Sequence, residues 1–172
     1  MPASRHKPLD RVSELIRLLQ LAPHPEGGHY REVFRSASHV TPGDGRDRRS
    51  ALTSIDFLLS KTEFSAWHRV QSDEAWHLLE GGPLRLWCLS PSLDEVTHVN
   101  LAAASSHSAP RHTVPAGWWQ AAQPLGDFAL VGATVGPGFD FADFAFARDH
   151  SDVVDALRKL QPELLALVSP AQ

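Results

Sequence analysis

The stretch FSAWHRVQSDEAWHLLEG, residues 64–81, holds the question on which both fold and function turn. Its halves FSAWHRV and EAWHLLE are short apolar and aromatic runs parted by the polar Gln71, Ser72 and Asp73, which reads as two strands and a turn. His68, Glu74 and His77 stand in these runs beside Trp67 and Trp76. Such side chains form a metal site, a metal-free acid–base pair, or the lining of a pocket that only binds. Along a continuous strand Glu74 and His77 point to opposite faces, because three residues is an odd step. Only a bulge would bring them together.

The same texture continues outward. Between about residues 28 and 146, the runs YREVFRS, ALTSIDFLLS, LRLWCLS, EVTHVNLA, RHTVPAG, WWQAA, FALVGATV and FDFADFAFA are separated by turn residues, which predicts an all-β-dominated sandwich or barrel. Period-two alternation is patchy, as it is where strands are covered on both faces. Leu9, Val12, Leu15, Ile16 and Leu19 recur at helical spacing and predict an amphipathic helix over residues 9–21, ended by Pro23 and Pro25. After Asp149 the pattern is helical again, with Ser151 as N-cap and a second short helix opened by Pro162, over about residues 151–168. The polar segment TPGDGRDRRS, residues 41–50, is expected to be an exposed, solvated loop. Neither repeat nor linker divides residues 1–172, so a single domain is expected.

Composition narrows the partners. With 42% hydrophobic and 21% charged residues the chain can bury one sizeable core and lacks the signature of disorder. Sixteen basic against twenty acidic residues, net −4 and without a like-charge block, announce neither a nucleic-acid polymer nor an anionic membrane as partner. No run reaches the about 20 apolar residues of a membrane span. Cys88 is the single cysteine, which excludes an internal disulfide, and the start MPASRHKPLD has no apolar signal segment. A cytoplasmic protein with a small-molecule ligand is the expectation.

The spacing of His68, Glu74 and Gly81 resembles the first motif of the cupins, H-x-H, three or four residues, E, six residues, G, with Val70 at the second histidine. The second cupin motif, P-x-G, two residues, then His, has its counterpart in Pro115 to Gly117, with Gln120 at the histidine. Four segments in order, HPEGG (24–28), SAWHRVQSDEAWH (65–77), VPAGWWQAA (114–122) and VGPGFDFADF (135–144), resemble the largely uncharacterised cupin family of domain of unknown function 985. The resemblance covers nearly the whole chain. It implies a cupin jelly-roll β-barrel, or double-stranded β-helix, with N- and C-terminal flanking helices. Asp56 departs from the aromatic or apolar residue common at that place in the family. A looser resemblance is to dTDP-4-dehydrorhamnose 3,5-epimerases, metal-independent cupins whose early motif looks like EGGHYRE and whose catalytic histidine falls at His68. Glu74 stands there for a pocket lysine and Gln120 for a pocket histidine. The catalytic tyrosine would fall near Leu130 and Val131, whereas Tyr30 is the only tyrosine of the chain.

Chemistry follows from the donors present. A divalent transition metal needs about three good protein ligands, and His68 and Glu74 are two. Gln120 offers a weak amide oxygen and Val70 nothing, so any bound ion would rest on His68, Glu74 and Gln120. Without a metal, His68 as base and Glu74 as acid or orienter form an acid–base pair. The structural alternative is that His68 bonds within the core and Glu74 neutralises Arg69 or Arg85. Expected ligand-binding residues are Glu26, Gly28, Tyr30 and Arg31 from HPEGGHYRE, together with Trp76, His77, Trp118 and Gln120. The leading reading is a protein that binds a small polar metabolite, sugar- or nucleotide-like, with metal-independent isomerase or epimerase chemistry. A metal-dependent oxygenase or isomerase and a non-catalytic ligand-binding protein are the alternatives. A jelly roll leaves sheet edges to protect, so a homodimer is expected.

Overall fold

The computed structural model describes residues 10–169; Leu9 and the chain start, part of the expectations above, lie outside the described residues. In chain order the elements are α1 (Arg11–Leu19), β1 (Ala22–Pro23), β2 (His29–Arg35), β3 (His39–Val40), β4 (Arg49–Ser50), β5 (Thr53–Ser60), β6 (Ser65–Val70), β7 (Asp73–Gly81), β8 (Leu84–Leu89), β9 (Val96–Leu101), β10 (Arg111–Val114), β11 (Trp119–Pro124), β12 (Phe128–Gly136), β13 (Phe144–Phe146) and α2 (Ser151–Leu160). Two antiparallel sheets face each other, one in the order β1-β2-β5-β12-β7-β10 and one in the order β13-β6-β11-β8-β9. The stretch 64–81 thus splits between the sheets, β6 in one and β7 in the other.

Alternation along each strand decides which side chains enter the barrel. On β6, Trp67 joins Trp87, Trp119, Val153 and Leu157 in a core on the outer face of its sheet, under α2 and a 3-10 helix at Pro162–Leu167. On β7, Trp76 packs between the sheets with Phe57, Leu86, Cys88 and Val131. A third core sits where Leu15 of α1 meets Leu58 and Leu130 on the other sheet's outer face. Both sheets are therefore covered on two sides along much of their length, which is why the period-two pattern is patchy. Fully burying a side chain such as Leu157 contributes about 1.5–3 kcal/mol, so α2 is held by its apolar face.

Several boundaries differ from expectation. Helix α1 starts where the Asp10 carboxylate accepts from Ser13 N and stops at Gln20, which takes a left-handed φ of 54°; the stop precedes the prolines, and Ala22 and Pro23 pair with β2. The N-cap of α2 is His150, without a side-chain bond, and Ser151 is the first helical residue. Within FDFADFAFA, Asp140 caps a 3-10 turn at Phe141–Asp143 before β13 begins. The segment 41–50 is not simply a solvated tip. Arg49 donates from Nε and Nη2 to the two Asp143 oxygens at 2.9 Å, and Arg46 donates to Asp143 at 2.9 Å and to Ser72 at 3.0 Å.

Candidate acid–base site in the barrel

A cavity of about 540 Å³ opens between the sheets, within the size range of small-molecule sites. Glu26, Tyr30, Arg31, His68, Glu74 and Trp76 line it, together with Val70, His24 and the phenylalanines Phe139, Phe141 and Phe144. Strand pairing sets these positions. His68 on β6 faces Gln120 of β11 on one side and Phe146 of β13 on the other, while Glu74 on β7 lies opposite Val135 and Val114.

Glu26 arrives from the loop before β2. Gly27 (φ 113°) and Gly28 (φ 69°) let that loop press against the barrel: a Cβ at Gly27 would lie 2.1 Å from Phe64 O, and one at Gly28 would lie 2.5 Å from Leu58 O. This seats the Glu26 carboxyl beside His68, with Ser65 Oγ donating to its Oε1 at 2.6 Å. Gly28 thus serves by close packing; it is not in the cavity wall.

The hydrogen bonds define one network. His68 Nδ1 donates to Ala66 O at 2.7 Å, which leaves Nε2 as the acceptor. Trp76 Nε1, a donor only, reaches Gln120 Oε1 at 2.9 Å and so fixes which way that amide points. Gln120 Nε2 then donates to Glu74 Oε2 at 2.5 Å and to His68 Nε2 at 3.1 Å. Glu26 Oε2 lies 3.3 Å from His68 Nε2. That separation lets one proton be shared between the two groups. The environment agrees. Burial pushes the Glu26 carboxyl up, against the pull of His24 and Ser65, and burial pushes His68 down, against the pull of Glu74. Burial also pushes Glu74 up to about 7, with the charge of Glu26 adding and that of His68 opposing.

The remaining expected residues divide. Gln120 is buried behind His68 and Glu74 and bonds both without lining the cavity. His77 lies one odd step from Glu74 and is outside the wall; the bulge on this strand pair falls beyond it, between Leu130 and Val131 of β12. Trp118 packs half-buried against the inner core rather than against the cavity. Arg69 and Arg85 are engaged elsewhere, over the Trp119 ring at 4.7 Å and with Asn100 Oδ1 at 3.1 Å, so neither neutralises Glu74. Cys88 is buried and its thiol is pushed up to about 12, which makes it inert. Sequence reasoning did not single out the phenylalanines as site residues; Phe144 stacks on His68 with centroids 5.3 Å apart.

A transition-metal ion does not fit these donors. Gln120 turns its oxygen to Trp76 and presents N–H groups where an ion needs a lone pair, and Val70 supplies none. Among the described residues no three His, Cys, Asp or Glu side chains converge as metal ligands.

Residues 13–147 match the family model of the Cupin superfamily (DUF985). The chain belongs to this family. Two solved structures resemble this cupin along nearly their whole length. A hypothetical protein from Leishmania major is 32% identical with a TM-score of 0.76, covering 91% of this chain and 95% of its own. A protein from Shewanella oneidensis is 33% identical with a TM-score of 0.77, covering 94% and 97%. The fold is shared with the oxalate decarboxylase of Bacillus subtilis, 14% identical with a TM-score of 0.55 over 87% of this cupin and 37% of that chain. No curated protein matches this cupin.

Proposed function

We propose that this cupin binds a small polar metabolite of the sugar or nucleotide kind in its barrel and moves protons on it without a metal, as an isomerase or epimerase does. The observation that carries this reading is the buried chain Glu26–His68–Gln120–Glu74 at the wall of the cavity. Glu74, near 7, has both protonation states available at neutral pH, the condition for an acid–base group. His68 Nε2 is already capped by Gln120 and Glu26, so Glu74 rather than His68 takes the first proton. In the proposed cycle Glu74 removes a proton from a carbon beside a carbonyl, and the proton held between Glu26 and His68 passes to the carbonyl oxygen. For an α-hydroxy carbonyl the enediol then loses the proton of its other hydroxyl to the Glu26–His68 pair while Glu74 delivers its proton to the former carbonyl carbon, which gives the aldose–ketose isomer and restores both groups. No electrons are gained or lost, so no redox partner is needed.

The test uses purified protein in D2O with a panel of aldo- and keto-sugars, free and nucleotide-linked, and mass spectrometry to read deuterium at carbon. A turned-over member gains deuterium, and Glu74→Gln and His68→Ala each lower the rate by about 100-fold or more. Tight binding without deuterium entry would leave a non-catalytic binding protein. An undiminished rate in Glu74→Gln would end the acid–base reading.

A further inference from the structure

We infer that the part of the ligand entering the cavity is an uncharged, hydroxyl-bearing ring with one apolar C–H face, and that carboxylate ligands are excluded. The inference deepens the function proposed above, resting on the same cavity as the ligand site.

Charge is the first ground. The buried polar residues of the wall are Glu26, Thr53, His68 and Glu74, with His24 beside Glu26. Neither histidine is free to become a cation for an incoming anion: His24 Nδ1 accepts from Glu26 N at 3.1 Å, and His68 Nε2 accepts from Gln120. Among the described residues, the lysines and arginines of the wall are Arg31 and Arg35, both on β2. Arg35 is bound through Nε and Nη2 to the two oxygens of Glu32, at 2.9 and 2.8 Å, and also donates to Phe139 O. Arg31 donates to Gln20 Oε1 at 2.9 Å, beside the end of α1. A carboxylate pushed inward would therefore be buried next to two carboxyl groups, while both arginines of the wall are already bonded, Arg35 to Glu32 and Arg31 to Gln20. Hydroxyls, which donate as well as accept, match carboxyl oxygens without that penalty.

Shape is the second ground. Phe139, Phe141 and Phe144 form an edge-to-face cluster, with centroids 5.0 Å apart for Phe139 and Phe141 and 6.0 Å for Phe139 and Phe144. Phe141 lines the cavity and yet is 60% exposed, an aromatic surface left open at the wall. Lining the same cavity as the carboxyls, it provides an apolar seat for the C–H face of a ring whose hydroxyls turn toward Glu26 and Glu74. The same arrangement leaves any phosphate or nucleotide outside, on the solvent side of Arg31.

Saturation-transfer NMR on the full chain at pH 7 tests this, with D-glucose, D-mannose, D-fructose and D-xylose against malonate, and with oxalate as an unlabelled competitor. At least one sugar receives saturation, strongest on one ring face, and neither malonate nor oxalate binds or displaces it. Phe141→Ala weakens that sugar about fivefold, whereas Phe141→Leu, which keeps apolar bulk, weakens it less. Binding of malonate or displacement by oxalate overturns the inference, and so does the absence of binding by every sugar at millimolar concentration. Sugar binding without deuterium exchange leaves it standing while ending the acid–base reading; exchange on an anionic ligand alone does the reverse.

Discussion

Glu74 carries the clearest consequence at the scale of one residue. Its pKa is about 7 in the folded protein against about 4.3 in an unfolded chain, so the folded state holds the extra proton between these values. Stability from this group is fully present below the unfolded value and is lost as pH rises through about 7, by on the order of 3 kcal/mol. Glu26 acts with the same sign. His68 and His24, pushed down by burial, act with the opposite sign: their contribution is present above the ordinary histidine value and is lost as pH falls. Glu74→Gln is predicted to remove much of the decline between pH 5 and 7.5 and to uncover the histidine-driven rise, as read by urea denaturation at several pH values. A wild-type stability that climbs steadily over this range and is unchanged in slope by the substitution would contradict the buried, proton-holding Glu74. His68 and Glu74 were legible together from the spacing they share with the first cupin motif. That Glu26 shares the proton was not, because it is brought to His68 by a loop whose two glycines fit against β5 and the chain before β6.

At the scale of elements, the clamp on Asp143 ties the segment 41–50 to the turn that precedes β13. Asp143 is held well below the usual carboxylate range by Arg49 first and Arg46 with it, and the same turn carries Phe141 and leads into Phe144 over His68. Asp143→Asn removes one acceptor oxygen and the charge that both guanidiniums face. We predict faster amide hydrogen exchange confined to residues 41–50 and 139–146, with β7 and β12 protected as before. Uniform loss of protection across the barrel would instead make the clamp a support of the whole fold. The basic run RDRRS looked like a solvated tip because its partner Asp143 is more than ninety residues away. No local pattern reports a pairing at that distance.

For the whole molecule, the six-stranded sheet ends in β1 and β2, and β2 is exposed on both faces over its last five residues, with Val33 50% and Phe34 51% open to solvent. An uncovered edge of this kind invites pairing. We predict a homodimer across β2: light scattering should give twice the chain mass, and Val33→Asp with Phe34→Lys should give the monomer. A monomer mass for the unsubstituted protein at all concentrations rules this out. Among the described residues no helix is long and apolar enough to cross a membrane. By itself the sequence determined a β sandwich or barrel with flanking helices, and its motifs, by their resemblance to the cupins, a jelly roll, because turn chemistry and strand texture are local. That His77 lies outside the cavity wall, against its expected place among the ligand-binding residues, was decided by where the bulge of β7 and β12 falls. Tertiary structure alone decided the chemistry of the site. Gln120 offers its N–H groups to His68 and Glu74 because Trp76, on the opposite sheet, takes its oxygen, and an amide's orientation is set by whichever neighbours the packed sheets bring to it.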